Sequence, residues 1–173
     1  MRNEFTEVLA TVDLLLFERK ALRAMGVHFR ILHRFRATGS DCAPGEEVTA
    51  AYLVHRAKEF RLPLGCSLLL LFDYLSRQRM PLTAAQIISG MRADPFFQKH
   101  GANAPYSARK RRQLSHSSIK EYMKRLRAAL GQTFCDARLH LDPLSVLVSE
   151  ETLSNQAGYR LRASCEWIHI DIP

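Results

Sequence analysis

Eight basic side chains fall between residues 109 and 127: Arg109, Lys110, Arg111, Arg112, Lys120, Lys124, Arg125 and Arg127. Glu121 is the single acid among them. Groups of this type and density suit a polyanion, because they neutralise phosphates and because a long basic side chain can fork onto a guanine edge. The same run also fits the solvated face of an ordinary surface helix. The distribution of charge separates the two readings. The chain carries +8 over 173 residues, made up of +1 in residues 1–76, +10 in 77–138 and −3 in 139–173. An excess gathered into one segment favours a polyanionic partner over general solubility.

Other chemistries find no residues to rest on. Cys42, Cys66, Cys135 and Cys165 are far apart and include no C-x-x-C pair, so zinc spacing is absent and free thiols in a reducing compartment are expected. His28, His33, His55, His100, His116, His140 and His169 are dispersed, and no H-E-x-x-H, G-x-S-x-G, Walker or dinucleotide glycine pattern occurs. The expectation is a protein that is not an enzyme, with no metal and no cofactor. The most apolar run, residues 64–72, is far short of the ~20 residues that a bilayer demands. The N-terminus does not have the layout of a secretory leader. A cytoplasmic, bacterial protein is therefore expected.

The basic groups need a helix to position them, and residues 115–131, SHSSIKEYMKRLRAALG, read as one. Ile119, Tyr122, Met123, Leu126 and Leu130 recur along one side. Lys120, Lys124 and Arg127 share another, with Arg125 beside them and Tyr122 near Lys120. Ser118 and Glu121 have the spacing of a capping box, and Gly131 that of a C-terminal stop. Two helices precede it. Residues 64–78 place Leu64, Leu68, Leu71, Phe72 and Leu75 on a broad apolar face. Residues 82–92 follow Thr83 as a cap and turn Ile87, Ile88 and Met91 inward. Residues 94–113 form a long polar and basic connection.

Around this core the period drops to two. Residues 27–36 alternate as a half-buried strand and 37–47 read as a loop. Residues 48–55 fit a strand or a helix equally, and 58–63 suit a short strand. Residues 144–148 and 159–163 predict a hairpin around 149–158, and 165–172 a further strand with His169 facing solvent and Trp167 in the core or at an interface. Residues 4–25 predict a helix stopped by Gly26. Its wide apolar side suits either packing on the protein's own sheet or contact with a second copy. The division is an N-terminal helix at 1–26, a candidate dimerisation element, and a binding domain at 27–173.

Three stretches together resemble the effector domain of OmpR/PhoB-type transcription regulators. They are EFRLPLGCSLLLLFDYLSRQRMPLTAAQII, HSSIKEYMKRLRAAL and VLVSEETLSNQAGYRLRA. Pro81, Leu82 and Thr83 match the start of that family's second helix. Ser118, Ile119, Met123, Arg125, Leu126 and Arg127 match its third. Gly158, Tyr159 and Leu161 match its closing hairpin. The resemblance covers residues 27–165, with its motifs inside 58–163. It departs at Lys120, where the family has Asp, at Ser117, where it has Arg, and at Asn155-Gln156-Ala157, where the wing carries Arg-Gly. The connection between the second and third helices is longer and more basic than the family's. A chain of 173 residues leaves no room for a phosphoacceptor receiver domain, so control by phosphorylation is not expected.

The resemblance implies an α+β fold: a winged helix-turn-helix with N-terminal strands, a three-helix core and a C-terminal β-hairpin wing, plus the extra N-terminal helix. It implies sequence-specific binding of double-stranded DNA by a stand-alone transcriptional regulator. Ser117, Ser118, Lys120, Glu121, Tyr122, Lys124, Arg125 and Arg127 would line the third helix in the major groove. Arg109 to Arg112 would follow the phosphates, as would Arg160 and Arg162, and Asn155, Gln156 and Tyr159 would serve the wing. A homodimer is expected with it, since regulators of this kind often pair to read two half-sites. Two alternatives stay open. One is an interaction module whose basic patch binds an acidic regulator or an RNA polymerase subunit. The other is a plasmid or phage replication protein with the same DNA chemistry.

Overall fold

The computed structural model describes residues 4–36, 45–94 and 115–172, and its fold is α+β. Elements are numbered within those residues. The first is helix α1 (Glu4–Ala24). It ends where expected, and by a specific device. The Val27 N–H donates to the Leu22 carbonyl at 2.8 Å and the Gly26 N–H to the Arg23 carbonyl at 2.9 Å, with Gly26 at φ 75°. This is a Schellman closure, which requires a left-handed residue at that position. A side chain at Gly26 would also meet His55 Nδ1 at 2.8 Å, so glycine is needed twice over.

Strands β1 (His28–Arg36), β2 (Gly45–His55) and β3 (Lys58–Arg61) follow. The segment 48–55, ambiguous in sequence, is a strand because its β-branched and aromatic residues complete an antiparallel ladder on β1. A later strand, β7 (Ser164–Ile172), adds parallel to β1, giving a four-stranded sheet in the order β3-β2-β1-β7. Phe29 and Ile31 of β1 point inward and are fully buried. Phe29 meets Phe72 edge-on, with ring centroids 5.2 Å apart, in a favoured aromatic arrangement. Phe72 belongs to α2 (Cys66–Ser76), where Leu69, Leu70, Leu71 and Leu75 are buried as well.

The β2–β3 turn is built against its residue types. His55 pairs with Lys58, so Arg56 and Ala57 form a two-residue loop, at φ 49° and 61°. Such turns suit Asn-Gly, and a left-handed backbone costs other residues about 1–2 kcal/mol each. Arg56→Asn with Ala57→Gly is expected to raise the unfolding free energy by about 1–2 kcal/mol, read as a higher urea midpoint at unchanged slope.

A second sheet, β4-β6-β5, is antiparallel and three-stranded. It joins β4 (Leu82–Thr83), β5 (Leu147–Glu151) and β6 (Ala157–Leu161). Helix α3 (Ala84–Ala93) starts at Thr83, whose side chain and that of Gln86 form a reciprocal capping box. Helix α4 (His116–Asp136) and the single turn α5 (Pro143–Val146) lead into β5. One apolar core gathers residues from β1, β2, α2, α3, α4, β5 and β6, and Leu22 of α1 joins it.

Several boundaries differ from expectation. The cap of α4 is Ser115, whose Oγ accepts from the Ser118 N–H at 3.2 Å, and no Ser118–Glu121 box forms. Helix α4 does not stop at Gly131 but runs on to Asp136, because Thr133 and Phe134 continue the buried stripe. Tertiary burial there outweighs the cost of one interior glycine. Residues 143–146 are a helical turn rather than strand, since Asp142 caps Leu144 with Pro143 at the first helical position. Trp167 is 40% exposed on the edge strand β7 rather than core. His169 is exposed as expected, with its ring edge-on to that of His33 at 5.4 Å.

Charged groups also sit inside. His33 Nε2 lies 2.9 Å from Asp73 Oδ1, both buried, and Arg77 bridges Asp73 at 3.0 Å and Asp94 at 2.7 Å. The chain of contacts ties β1 to α2 and to the end of α3. Nearby, desolvation pushes the Cys165 thiol up to about 12, which keeps it protonated and inert at neutral pH. Among the described residues no group of His, Cys, Asp and Glu could hold a metal ion. No described helix is long and apolar enough to cross a membrane.

Candidate nucleic-acid interface

Helix α4 is seated by Ile119, Met123, Leu126, Leu130 and Phe134, all essentially buried. Their spacings of four, three, four and four make one inward stripe. An exposed stripe runs along one side of the same helix. Ser117, Lys120, Lys124 and Ala128 lie at spacings of three, four and four, and all are exposed. Neither Lys120 nor Lys124 pairs with an acid among the described residues, so both charges stand in solvent. Glu121 and Arg125 are exposed too, but they pair with each other at 3.0 Å. Their charges largely cancel at the flank of the stripe. Tyr122 is half-buried and packs on the core, so it leaves the outward face predicted for it beside Lys120. Ser118 is partly covered at the cap.

Arg127 departs furthest from the expected outward face. Its Nε donates to the Leu147 carbonyl at 3.0 Å and its terminal nitrogen to Ser149 Oγ at 2.8 Å. Its guanidinium also lies over the Tyr159 ring, 6.0 Å from the centroid. Arg127 therefore fastens α4 to the β5–β6 hairpin instead of reaching outward. A fork of five donors makes Arg suited to such a three-way contact. Tyr159, partly buried, belongs to the same joint.

The hairpin tip is closed by Thr152, which is buried. Its N–H donates to the Gln156 carbonyl at 2.8 Å, and its carbonyl accepts from the Asn155 N–H at 2.9 Å. Asn155 takes the left-handed position at φ 56°, which Asn tolerates. Leu153, Ser154, Asn155 and Gln156 are exposed and project together beyond the sheet. At the base, a Cβ on Gly158 would stand 2.5 Å from Thr152 Cγ2 and 3.2 Å from the Leu82 carbonyl. Glycine there lets β4 and the tip close on β6.

Arg160 corrects the expectation that it touches phosphate. It is 2% exposed and held by Glu18 at 3.1 Å and by Glu150. Arg162 pairs with the same Glu18 at 3.2 Å. The alternation of Arg160 and Arg162 along one strand face does place them together, but that face looks onto α1. No pattern within the hairpin sequence could reveal this, since the partner Glu18 lies some 140 residues earlier. Arg109, Lys110, Arg111 and Arg112 lie outside the described residues.

An open groove of about 430 Å³ separates α3 from the start of α4, lined by Ala85, Ile88, Ser89, Arg92, Ser115 and His116. Arg92, Ser115 and His116 border the same end of α4 as Ser117, and were missed in the sequence. Arg92 belongs to another helix, and the Ser115 cap was obscured by the stronger Ser118–Glu121 pattern. The arrangement presents two ammonium groups with no acid partner among the described residues, a hydroxyl-rich start to α4 and a hairpin fastened to α4 by Arg127. No family model, curated protein or solved structure matches the chain.

Proposed function

We propose that the unit running from α2 to β6 is a winged helix-turn-helix that binds double-stranded DNA with sequence preference and regulates transcription. Helix α4 enters the major groove and the β5–β6 hairpin is the wing. One observation carries this reading: the outward stripe Ser117–Lys120–Lys124–Ala128 stands on a helix whose other side is buried and whose flank is fastened to the hairpin by Arg127. An α-helix is about 10–12 Å across and the major groove about 12 Å wide, so such a stripe fits it. Ala128 allows close approach, while Lys120 and Lys124 reach base edges or phosphates. Order in the helix–hairpin joint limits what binding must freeze, which favours affinity.

A second reading draws on one feature of the hairpin. Between residues 147 and 159 it has no basic side chain, and it carries Glu150 and Glu151. A wing of that charge suits a protein surface better than phosphates, and would make the basic helix a dock for an acidic protein such as a polymerase subunit. Binding of the full chain to sheared genomic fragments, followed as salt rises, separates the two. DNA recognition predicts a subset of fragments retained preferentially, with log affinity falling linearly against log salt. If no fragment is preferred at any salt concentration, the regulator reading is lost.

A further inference from the structure

Helix α1 has two unlike sides. One is fully engaged: Leu15 and Leu22 are buried, Glu18 holds Arg160 and Arg162, and the Arg19 guanidinium donates to the Ser76 and Gln78 carbonyls at 3.4 and 3.2 Å. The other side is apolar and bare. Leu14, Phe17 and Met25 are 51%, 70% and 56% exposed, with Ala21 and Ala24 between them. Scattered exposed apolar residues are ordinary, but a stripe of them along one fixed helix marks a contact surface. The helix is already anchored, so the stripe does not await a place in its own fold.

The flanking charges say what covers it. Asp13 and Lys20 are both exposed, neither has a partner among the described residues, and they stand seven residues apart on the same flank of the stripe. Seven residues is two turns. We infer that the stripe is covered by α1 of a second copy of this chain, packed antiparallel about a two-fold axis that passes between Leu16 and Phe17. That operation sets Asp13 against the partner's Lys20, and by symmetry does so twice. It brings Phe17 of both copies close together beside the axis, in an isologous contact. A parallel pairing would instead set Asp13 near the partner's Asp13. A partner of one charge sign would leave either Asp13 or Lys20 opposed. The inference does not rest on DNA binding, since the contact is made without nucleic acid.

The test is the mass of the full chain in solution, by light scattering at roughly 50 µM, a concentration at which modest interfaces are populated. The wild type is expected at twice 19.8 kDa. Phe17→Glu is expected to weaken association by at least about a hundredfold, giving the single mass with unchanged circular dichroism. Should Phe17→Glu disturb folding, Leu14→Ser asks the same question more gently. Asp13→Lys and Lys20→Asp should each weaken the dimer, and the two together should restore it. A wild type of single mass, or a Phe17→Glu protein that stays dimeric, overturns the interface. A double exchange that fails to restore association overturns its antiparallel register.

Discussion

Arg160→Ala is expected to cost about 3–5 kcal/mol of folding stability, the range for removing one partner of a buried ion pair. The guanidinium is almost fully enclosed and stands between two carboxylates, Glu18 from α1 and Glu150 from β5. Its loss leaves both acids facing each other with only Arg162 left, at the outer side of Glu18. An uncompensated carboxylate in a low-dielectric site is what makes such truncations severe. The damage is also located. Glu18 is the ionic link between α1 and β6, so the hairpin and α1 should loosen together while α2 and α3 keep their packing. Urea unfolding gives the magnitude. Amide exchange shows whether protection falls first in β5, β6 and α1. A loss under about 1 kcal/mol would mean that water reaches the site and that the three charges are solvated.

The second large effect concerns binding. Lys120→Ala with Lys124→Ala should reduce affinity for the preferred fragment about 30-fold or more, taking about 1 kcal/mol or more for each base or phosphate contact. Both side chains are exposed and have no acid partner among the described residues, so their removal should leave stability within about 0.5 kcal/mol. That separation is the diagnostic part. If the lysines touch phosphates alone, the salt slope falls by about 2 and all fragments weaken equally. If one reads a base, the preference among fragments collapses as well. Unchanged affinity in the double variant would remove α4 from the interface altogether. Arg127 is the wrong choice for this test. It holds Leu147, Ser149 and Tyr159, so its loss would confound contact with hairpin position.

The parts of the fold legible in the sequence were those governed by local rules. The period of Ile119, Met123, Leu126 and Leu130 gave the seat of α4, and Thr83 gave the start of α3. Gly26 marked the end of α1. The illegible parts depend on partners far along the chain. Nothing near residue 160 signals that Glu18 will enclose it, and nothing near residue 127 signals that its guanidinium will turn to the hairpin. A basic residue on a helical wheel has an angle but no partner, so Arg127 read as outward with Lys120 and Lys124. The same limit applied to the segment 48–55. Its choice of strand over helix was settled by a neighbouring strand, not by its own residues.

The place of β7 sets the order of events in assembly. Its residues pair with β1 across some 136 positions of chain, and β1 lies between it and β2 at the centre of the sheet. Helices α2 and α3 with their capped junction make contacts of short range and can form early. The central sheet is finished only when a loop of that length has closed, which is entropically slow. Until then one edge of β1 stays open, and the bare stripe of α1 is connected to it through Val27. An incompletely folded chain would thus expose a strand edge and an apolar helix side by side, a pairing prone to misassembly during synthesis.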